Sequence, residues 1–479
     1  MLRESPKSSS NVNTNLLGSN YDPLQTDAYT LHLAEVNNTR QVIASDDIYN
    51  SQGLLLVKKG APITPAATRA IINIKLLHPI EKCITINDEI DGAQLQKDFI
   101  AVMHEDDILQ SIHDRYNLNL LLHDQCLSYQ GYPLLRQKIT VLAERMPETY
   151  SRSLYCAWLA MLIAKEMRLP EQDINAVFLG ALAHDIGMLH INPDILNASS
   201  ALTAEEWRQI QAHVVIGQKI LASMPGMPSQ VSLAVLEHHE RCDGTGYPTG
   251  KVESELSLLG QIIALADSVI AVYHNRFKPH GRSWRDVIPV IQMNNQAYFY
   301  RNYEVLVTIL RRSELPQLGV VVGDEMPDFI EKFIHQQSDM KSRFKRFEKL
   351  LLSFGFTHGD RKLHALQNVF FHIATAINGS GIFQDNYAEW LEQVKQQCLT
   401  TAYREVEDAY LMLEEVSFHL QRLSRMIQLY TASGNCKDSA IQLALEAEVN
   451  EKESQPSAAD VQEPHIDAKH EDREIVIIE

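Results

Sequence analysis

The chain has 479 residues, enough for two to three domains, and an ordinary apolar fraction of 45%. Its formal net charge of −18 excludes a general nucleic-acid or anionic-membrane surface, which would need a basic face, but leaves room for a local basic pocket for a phosphate. The six cysteines (83, 126, 156, 242, 398 and 436) form no CxxC pair, which argues against a zinc ribbon and for reduced thiols in a cytoplasmic protein.

The stretch Met1 to Asn20 is polar and lacks the apolar core of a signal peptide, and residues 1–29, rich in Ser and Asn, read as disordered. No uninterrupted apolar run approaches about 18 residues, so no membrane span is expected. Residues 30–95 read as a small α+β regulatory domain. Strands are expected at 41–44, 53–57 and 82–86, and a helix opens at Thr64-Pro65, where Thr caps and Pro takes the first helical position. Residues 96–147 read as a helical connector. His113-Asp114 and His123-Asp124 there have no second ligand cluster at hand, so both pairs are expected on the surface.

From Glu148 the pattern is helical and rich in potential ligands. Helices are expected over 151–167, 174–182, from a capping box at Thr203-Ala204-Glu205-Glu206 through His213, over 231–239 and over 259–273. His184, Asp185, His213, His238, His239 and Asp267 fall on or beside these helices, next to apolar positions. Imidazoles and carboxylates in that number suit a first-row divalent metal, and a bundle core is a usual place for a two-metal site. Burying so many polar groups without a partner would be costly. Gly244 and Gly246 follow the His pair and let backbone approach a ligand closely.

Beyond 285 a helical extension runs to 435. Leu399, Ala402, Val406, Ala409, Leu413, Val416, Leu420, Leu423, Ile427 and Tyr430 keep a heptad seam, which serves either a bundle within one chain or a homodimer. Phe418 and Met412, off the seam, favour the bundle. Residues 436–479 read as an acidic disordered tail, whose apolar end at 475–478 could dock on a protein partner.

The run His238-His239-Glu240-Arg241-Cys242-Asp243-Gly244-Thr245-Gly246-Tyr247-Pro248 resembles the signature of the HD-GYP branch of the HD superfamily of metal-dependent phosphohydrolases, complete at every defining position. His184-Asp185-Ile186-Gly187 resembles its HD motif, and His213, Asp267 and Arg276 resemble later motif positions. The resemblance implies a mainly α fold: an HD-type helical bundle over 148–284 behind the small α+β domain and before the extension. It implies two or three metals, often iron or manganese, and hydrolysis of cyclic di-GMP to pGpG or GMP. It implies that Asp185 bridges metals, that His213, His238 and His239 complete one site, and that His184, Asp267 and Glu148 hold the other. Asp185 and His184 would be catalytic, while Arg276, Gly246, Tyr247 and Pro248 would hold substrate. Cyclic di-GMP is thus the expected partner, with proteins docking on the N-terminal domain or the C-terminal helices.

Two positions depart from the family pattern. Arg152 stands where its first histidine ligand should be, and Met188 where a lysine usually follows the HD motif. A guanidinium stays protonated and cannot ligate a metal. At about 4 Å from another cation, in an effective dielectric near 20, it would oppose that charge by about 4 kcal/mol. The alternative reading is therefore a catalytically degenerate module that senses nucleotide or scaffolds other proteins.

Overall fold

The computed structural model describes residues 27–198, 202–315, 319–321, 323–356, 359–432 and 441–445. The fold is mainly α, as expected. A helix absent from the sequence reading, α1 (Asp27–Val36), opens the described chain and moves the N-terminal boundary upstream of residue 30. Strands β1 (Val42–Ala44), β2 (Ile48–Tyr49), β3 (Leu55–Val57) and β4 (Ile84–Ile86) make two antiparallel pairs, β1 with β4 and β2 with β3. Helix α2 (Pro65–Ile71) lies between β3 and β4, and the Thr64 side chain accepts a bond from the Ala67 amide, the cap predicted there.

The connector holds α3 (Gly92–His104), α4 (Asp107–Arg115), α5 (Asn119–Gln130) and α6 (Pro133–Arg145). His113 corrects the surface expectation. It is buried, with Nε2 3.1 Å from Asn119 and Nδ1 accepting from the Trp158 indole at 3.3 Å. Its apolar neighbours gave no hint of those two polar partners. His123 is exposed, as expected.

The central bundle comprises α7 (Pro147–Glu166), α8 (Glu171–Ala183), α9 (Pro193–Leu196), α10 (Ala204–Gln211), α11 (His213–Ala222), α12 (Ser229–Glu237) and α13 (Leu258–Val272). The Thr203 capping box is present, but the helix it opens stops at Gln211, and His213 starts a new one. Leu258–His280 is apolar and long enough to cross a membrane by composition, yet most of it is core.

The extension has α14 (Val287–Met293), α15 (Tyr300–Arg312), α16 (Met326–Ser353), α17 (Arg361–Ser380), α18 (Asp385–Gln397) and α19 (Tyr403–Ala432). The seam of α19 from Val406 to Tyr430 is buried inside this chain against residues of α16 and α17, so it is spent on internal packing and is not open to a second copy. Residues 441–445, expected to be disordered, are helical, and Leu445 is buried against the same cluster. The 475–478 end lies outside the described residues.

One continuous apolar core runs from Tyr29 through the connector and the central bundle to Leu315. At the seam between the N-terminal unit and the bundle sits the fully buried Lys138 of α6. Its ammonium lies 3.5 Å from Glu81, 3.0 Å from His190 Nε2 and 3.2 Å from the centre of the Tyr29 ring. Burial outweighs the Glu81 attraction and brings the Lys138 pKa down to about 8. Lys138→Met would strand the Glu81 carboxylate, and its expected cost is about 3–5 kcal/mol in urea unfolding. Adding Glu81→Gln should recover most of that loss; no recovery would show that the pair is not the seam's polar anchor.

Candidate metal centre

Three histidines of the bundle are set by one local device. His184 follows the last residue of α8, His213 comes two residues after α10, and His238 follows the last residue of α12. The final carbonyls of a helix have no partner within it. Here the ring Nδ1 of each histidine meets the carbonyl three residues back: His184 on Ala181, His213 on Ile210 and His238 on Val235, each at 2.7 Å. Nδ1–H therefore donates to the carbonyl, and Nε2 is turned into the bundle, where His213 and His238, neutral, present lone pairs.

Those lone pairs converge. His213 Nε2 and His238 Nε2 are 3.4 Å apart, and Asp185 Oδ1 is 3.4 Å from His213 Nε2. Asp185, His213, His238 and His239 each offer a ligand atom, all within 4.8 Å of one another. Two ligands about 2.1 Å from one ion are at most about 4.2 Å apart, so a few tenths of an ångström of closure would seat a cation among them. Burial drives the imidazoles toward neutrality: His238 falls well below its usual value, His213 falls, and His239 falls to about 3. Two inward acceptors facing each other in a dry site want a cation between them, so the donor set fits a single divalent metal.

Next to this set the electrostatics differ. His184 Nε2, fully buried, lies 3.2 Å from Asp185 Oδ2 and 3.5 Å from Asp267 Oδ1, aligned as a hydrogen bond to neither. Burial opposes its charging, but the two carboxylates win and push it up to about 10. Arg152 does face the site. Its Nη2 is 3.2 Å from Asp267 Oδ1 and 3.5 Å from Asp185 Oδ2. Burial would raise both carboxyl pKa values, but Arg152 and His184 hold them well below the carboxylate range. The guanidinium thus supplies positive charge on the side where the resemblance implies a second metal.

The closeness of the parts rests on two glycines. A Cβ on Gly187 would come 2.0 Å from the His213 carbonyl oxygen, and one on Gly246 would come 2.4 Å from that of His239. The loop after α12 is stapled by buried carboxylates. Glu240 accepts from the Thr249 amide at 2.7 Å and from the Lys251 amide at 2.9 Å, and Glu237 from the Ser257 amide at 2.8 Å. That loop stacks the Tyr247 ring on His239, with centroids 4.7 Å apart, and Pro248 follows it.

Two expected site residues lie elsewhere. Glu148 is exposed in the first turn of α7 and outside the four-residue cluster, because the first turn of that helix reaches past the bundle core. Arg276 is held by Glu415 of α19 at 2.8 Å, a partner that no local pattern could announce. Residues that went unnoticed include Arg241, whose guanidinium carbon is 5.8 Å from the centre of the Tyr298 ring, and Arg422 of α19, both of which line the cleft over His238 and His239. Arg241 sits inside the signature run and could have been read from it; Arg422 has no sequence signal.

Residues 136–301 match the family model described as an HD domain. The chain carries an HD domain. Its run at 238–248 resembles the signature of the HD-GYP branch. Over 155 residues it is 36% identical to a cyclic di-GMP phosphodiesterase of Thermotoga maritima, covering 31% of this chain and 42% of that protein. Over 205 residues it is 27% identical to a cyclic di-GMP phosphodiesterase of Pseudomonas aeruginosa, covering 42% and 49%. A 3'3'-cGAMP-specific phosphodiesterase of Vibrio cholerae is 35% identical over 127 residues, covering 26% and 27%. This chain therefore spans less than half the length of each of these relatives. Among solved structures, an HDG"Y"P protein of Bdellovibrio bacteriovorus aligns with a TM-score of 0.31 at 13% identity, over 56% of this chain and 95% of that one.

Gly187→Ala should push the HD turn away from His213. The expected result is a loss of about 1–3 kcal/mol in thermal unfolding, together with reduced manganese uptake by elemental analysis. Wild-type stability and loading would show that the turn has slack.

Proposed function

We propose that the chain is a metal-dependent phosphodiesterase that hydrolyses cyclic di-GMP to pGpG or GMP in bacterial second-messenger signalling. The observation that carries the reading is the convergence of three carbonyl-tethered or loop-stacked imidazoles and Asp185 on one point, beside an aromatic loop. Asp185, His213, His238 and His239 would hold the ion, with iron or manganese the best match to the imidazole and carboxylate donors. That ion would supply Lewis acidity toward a phosphodiester and make water more acidic. Asp267 and His184 lie beside that set, 3.5 Å apart, and the pair can hold a proton on His184 Nε2. The Tyr247 face beside His239 is a platform on which a base can stack, with Gly246 and Pro248 shaping its loop. Arg276 is left out of the substrate contacts, since Glu415 holds it.

A second reading has one specific observation in its favour. Arg152 lies on Asp185 and Asp267, where a two-metal enzyme would want a cationic metal, so a nucleotide-binding module without turnover is the alternative. Anaerobic assays with Fe(II) or Mn(II), offering cyclic di-GMP and 3'3'-cGAMP and following products by chromatography, separate the two. Turnover is expected; binding without turnover under either metal would establish the sensor.

Arg152→His removes the blocking charge and adds an imidazole in one step. Metal content should rise from about one ion per chain toward two, since paired carboxylates then lack their guanidinium. Equal content in both proteins, purified identically, would mean that Arg152 does not stand in for a metal.

A further inference from the structure

The N-terminal unit carries a ribbon with an apolar outer face. Its parts are the 74–77 segment, β2 and β3, side by side. Asn50 bridges Leu76, the Leu77 amide donates to the Tyr49 carbonyl at 2.9 Å and the Ser51 amide to the Lys75 carbonyl at 2.8 Å, while Tyr49 is in register with Leu55. Residues directly opposite each other in an antiparallel pair share a face, and neighbours along a strand alternate between faces. Leu76, Ile48 and Val57 are buried on the inner face. Leu77, Tyr49 and Leu55 therefore form one row on the outer face. Leu77 is 52% exposed and Leu55 45%, and Leu54 at 63% and Ile74 at 40% flank them in sequence. A contiguous row of this kind marks an interaction surface, which apolar side chains scattered singly do not.

The charge of this surface runs against that of the chain. Residues 48–80 contain Lys58, Lys59, Arg69 and Lys75 and no Asp or Glu. The two acids just before them, Asp46 and Asp47, are engaged within the unit. The Lys59 ammonium lies 3.3 Å from Asp46, and Asp47 accepts from the Lys59 amide at 2.7 Å and from the Tyr49 hydroxyl at 3.2 Å. Four cations against two acids leave the ribbon positive. Lys75, two residues before Leu77 and exposed like it, falls on the outer face and makes no ion pair among the described residues.

One segment of the chain has the matching chemistry. Residues 446–479 hold eleven acids and three bases, and so carry −8 of the net −18. Within them, 471–479 reads Glu-Asp-Arg-Glu-Ile-Val-Ile-Ile-Glu, four β-branched residues fenced by acids. Such side chains pack well on a pleated surface. The joint of 29 residues between Leu445 and Ile475 extends to at most about 100 Å. A body of this length has a radius of gyration of about 23 Å, so the ribbon is within reach. A covalent joint also makes the encounter intramolecular, so contacts too weak to hold a separate peptide suffice. Other occupants fit less well: a second ribbon would bring its own cations to Lys75, and an anionic lipid surface would meet the field of a −18 chain.

We propose that Ile475, Val476, Ile477 and Ile478 dock on the row of Leu77, Tyr49 and Leu55 in their own chain, with the flanking carboxylates set against Lys75 and the other ribbon cations.

The test uses the full chain, as an equal mixture of 14N- and 15N-labelled protein. Zero-length carbodiimide coupling should join Lys75 to Glu474 or Glu479, and mass spectrometry should find both ends in chains of the same label. In the double variant Ile475→Asp, Ile477→Asp that link should disappear. Lys75 should then be acetylated at least about threefold faster, as uncovering an amine shielded two-thirds of the time implies. Melting temperature and manganese content should not change. Wild-type coupling and acetylation in the double variant overturn the proposal. So do links between differently labelled chains, which would make the occupant a second copy. Phosphatidylserine vesicles that bind wild type and double variant equally, with Lys75 acetylated alike in both, would assign the row to lipid and overturn it too. Leu55→Asp should also abolish the link. Should Leu55→Asp melt early, the tail variant decides, because it leaves the ribbon sequence intact.

Discussion

The Nδ1–carbonyl tether is the constraint on which the centre depends. A histidine at a helix end has two uses for its ring. One nitrogen can satisfy a carbonyl that the helix leaves over, and the other then points away from it, as a lone pair when the ring is neutral. His184, His213 and His238 use this arrangement at the ends of three helices, all with the same 2.7 Å bond. Because those helices are packed into one core, the three Nε2 atoms meet without further instruction from side chains, those of His213 and His238 as lone pairs and that of His184 as an N–H between two carboxylates. The same packing demands bare backbone at the crossing, and Gly187 against the His213 carbonyl is the tightest instance. A binding site and a packing interface are therefore one feature here, and a change to either is felt by both.

Arg152 shows how a charge can be conserved while a ligand is lost. Asp185 and Asp267 are buried carboxylates, and two such groups side by side need compensation. A metal would provide it in a fully equipped bundle. In this chain the guanidinium does so, with His184 in support, and both carboxylates remain ionised. The cost expected from the sequence, a cation opposing a metal, is thereby recast. Arg152 stabilises the pocket by sitting between two acids, next to the four-residue set that could hold an ion. Met188, the other departure, is partly buried against the core, which is what a thioether does best.

Much of this was legible in the sequence, for reasons that can be named. The candidate site residues His184, Asp185, His213, His238 and His239 stood out because chemistry-bearing residues recur beside apolar helical positions, and the signature run between 238 and 248 is long and specific. The Thr64 cap and the Thr203 capping box follow from local rules and appear where those rules put them. What failed was non-local or depended on a single backbone break. The helix of His213 restarts at Ala212, a residue with no breaking tendency. His113 is buried because Trp158, 45 residues away, donates to it. Arg276 turns to Glu415, 139 residues on, and the heptad seam could not say whether its partner lay in the same chain. Pattern reading reports which face of an element is apolar; it does not report what covers it.

The flanking units are better understood as parts of the centre than as attachments to it. The N-terminal unit shares the central core, and its polar seam reaches the turn that carries the HD motif. Lys138 touches both Glu81 and His190, and His190 closes the short helix that begins right after Asp185. At the other end, α19 is fixed by carboxylates that draw three arginines from the segment after α13, namely Arg276, Arg282 and Arg285. Each of those ion pairs is partly or fully removed from water, so each resists sliding more than an exposed pair would. A helix held this firmly presents its next polar position at a defined place. The position it presents is Arg422, at a hollow whose wall also carries Arg241 and the Asp243 carboxylate paired with it, so charges of both signs are gathered where the extension meets the loop of the His pair.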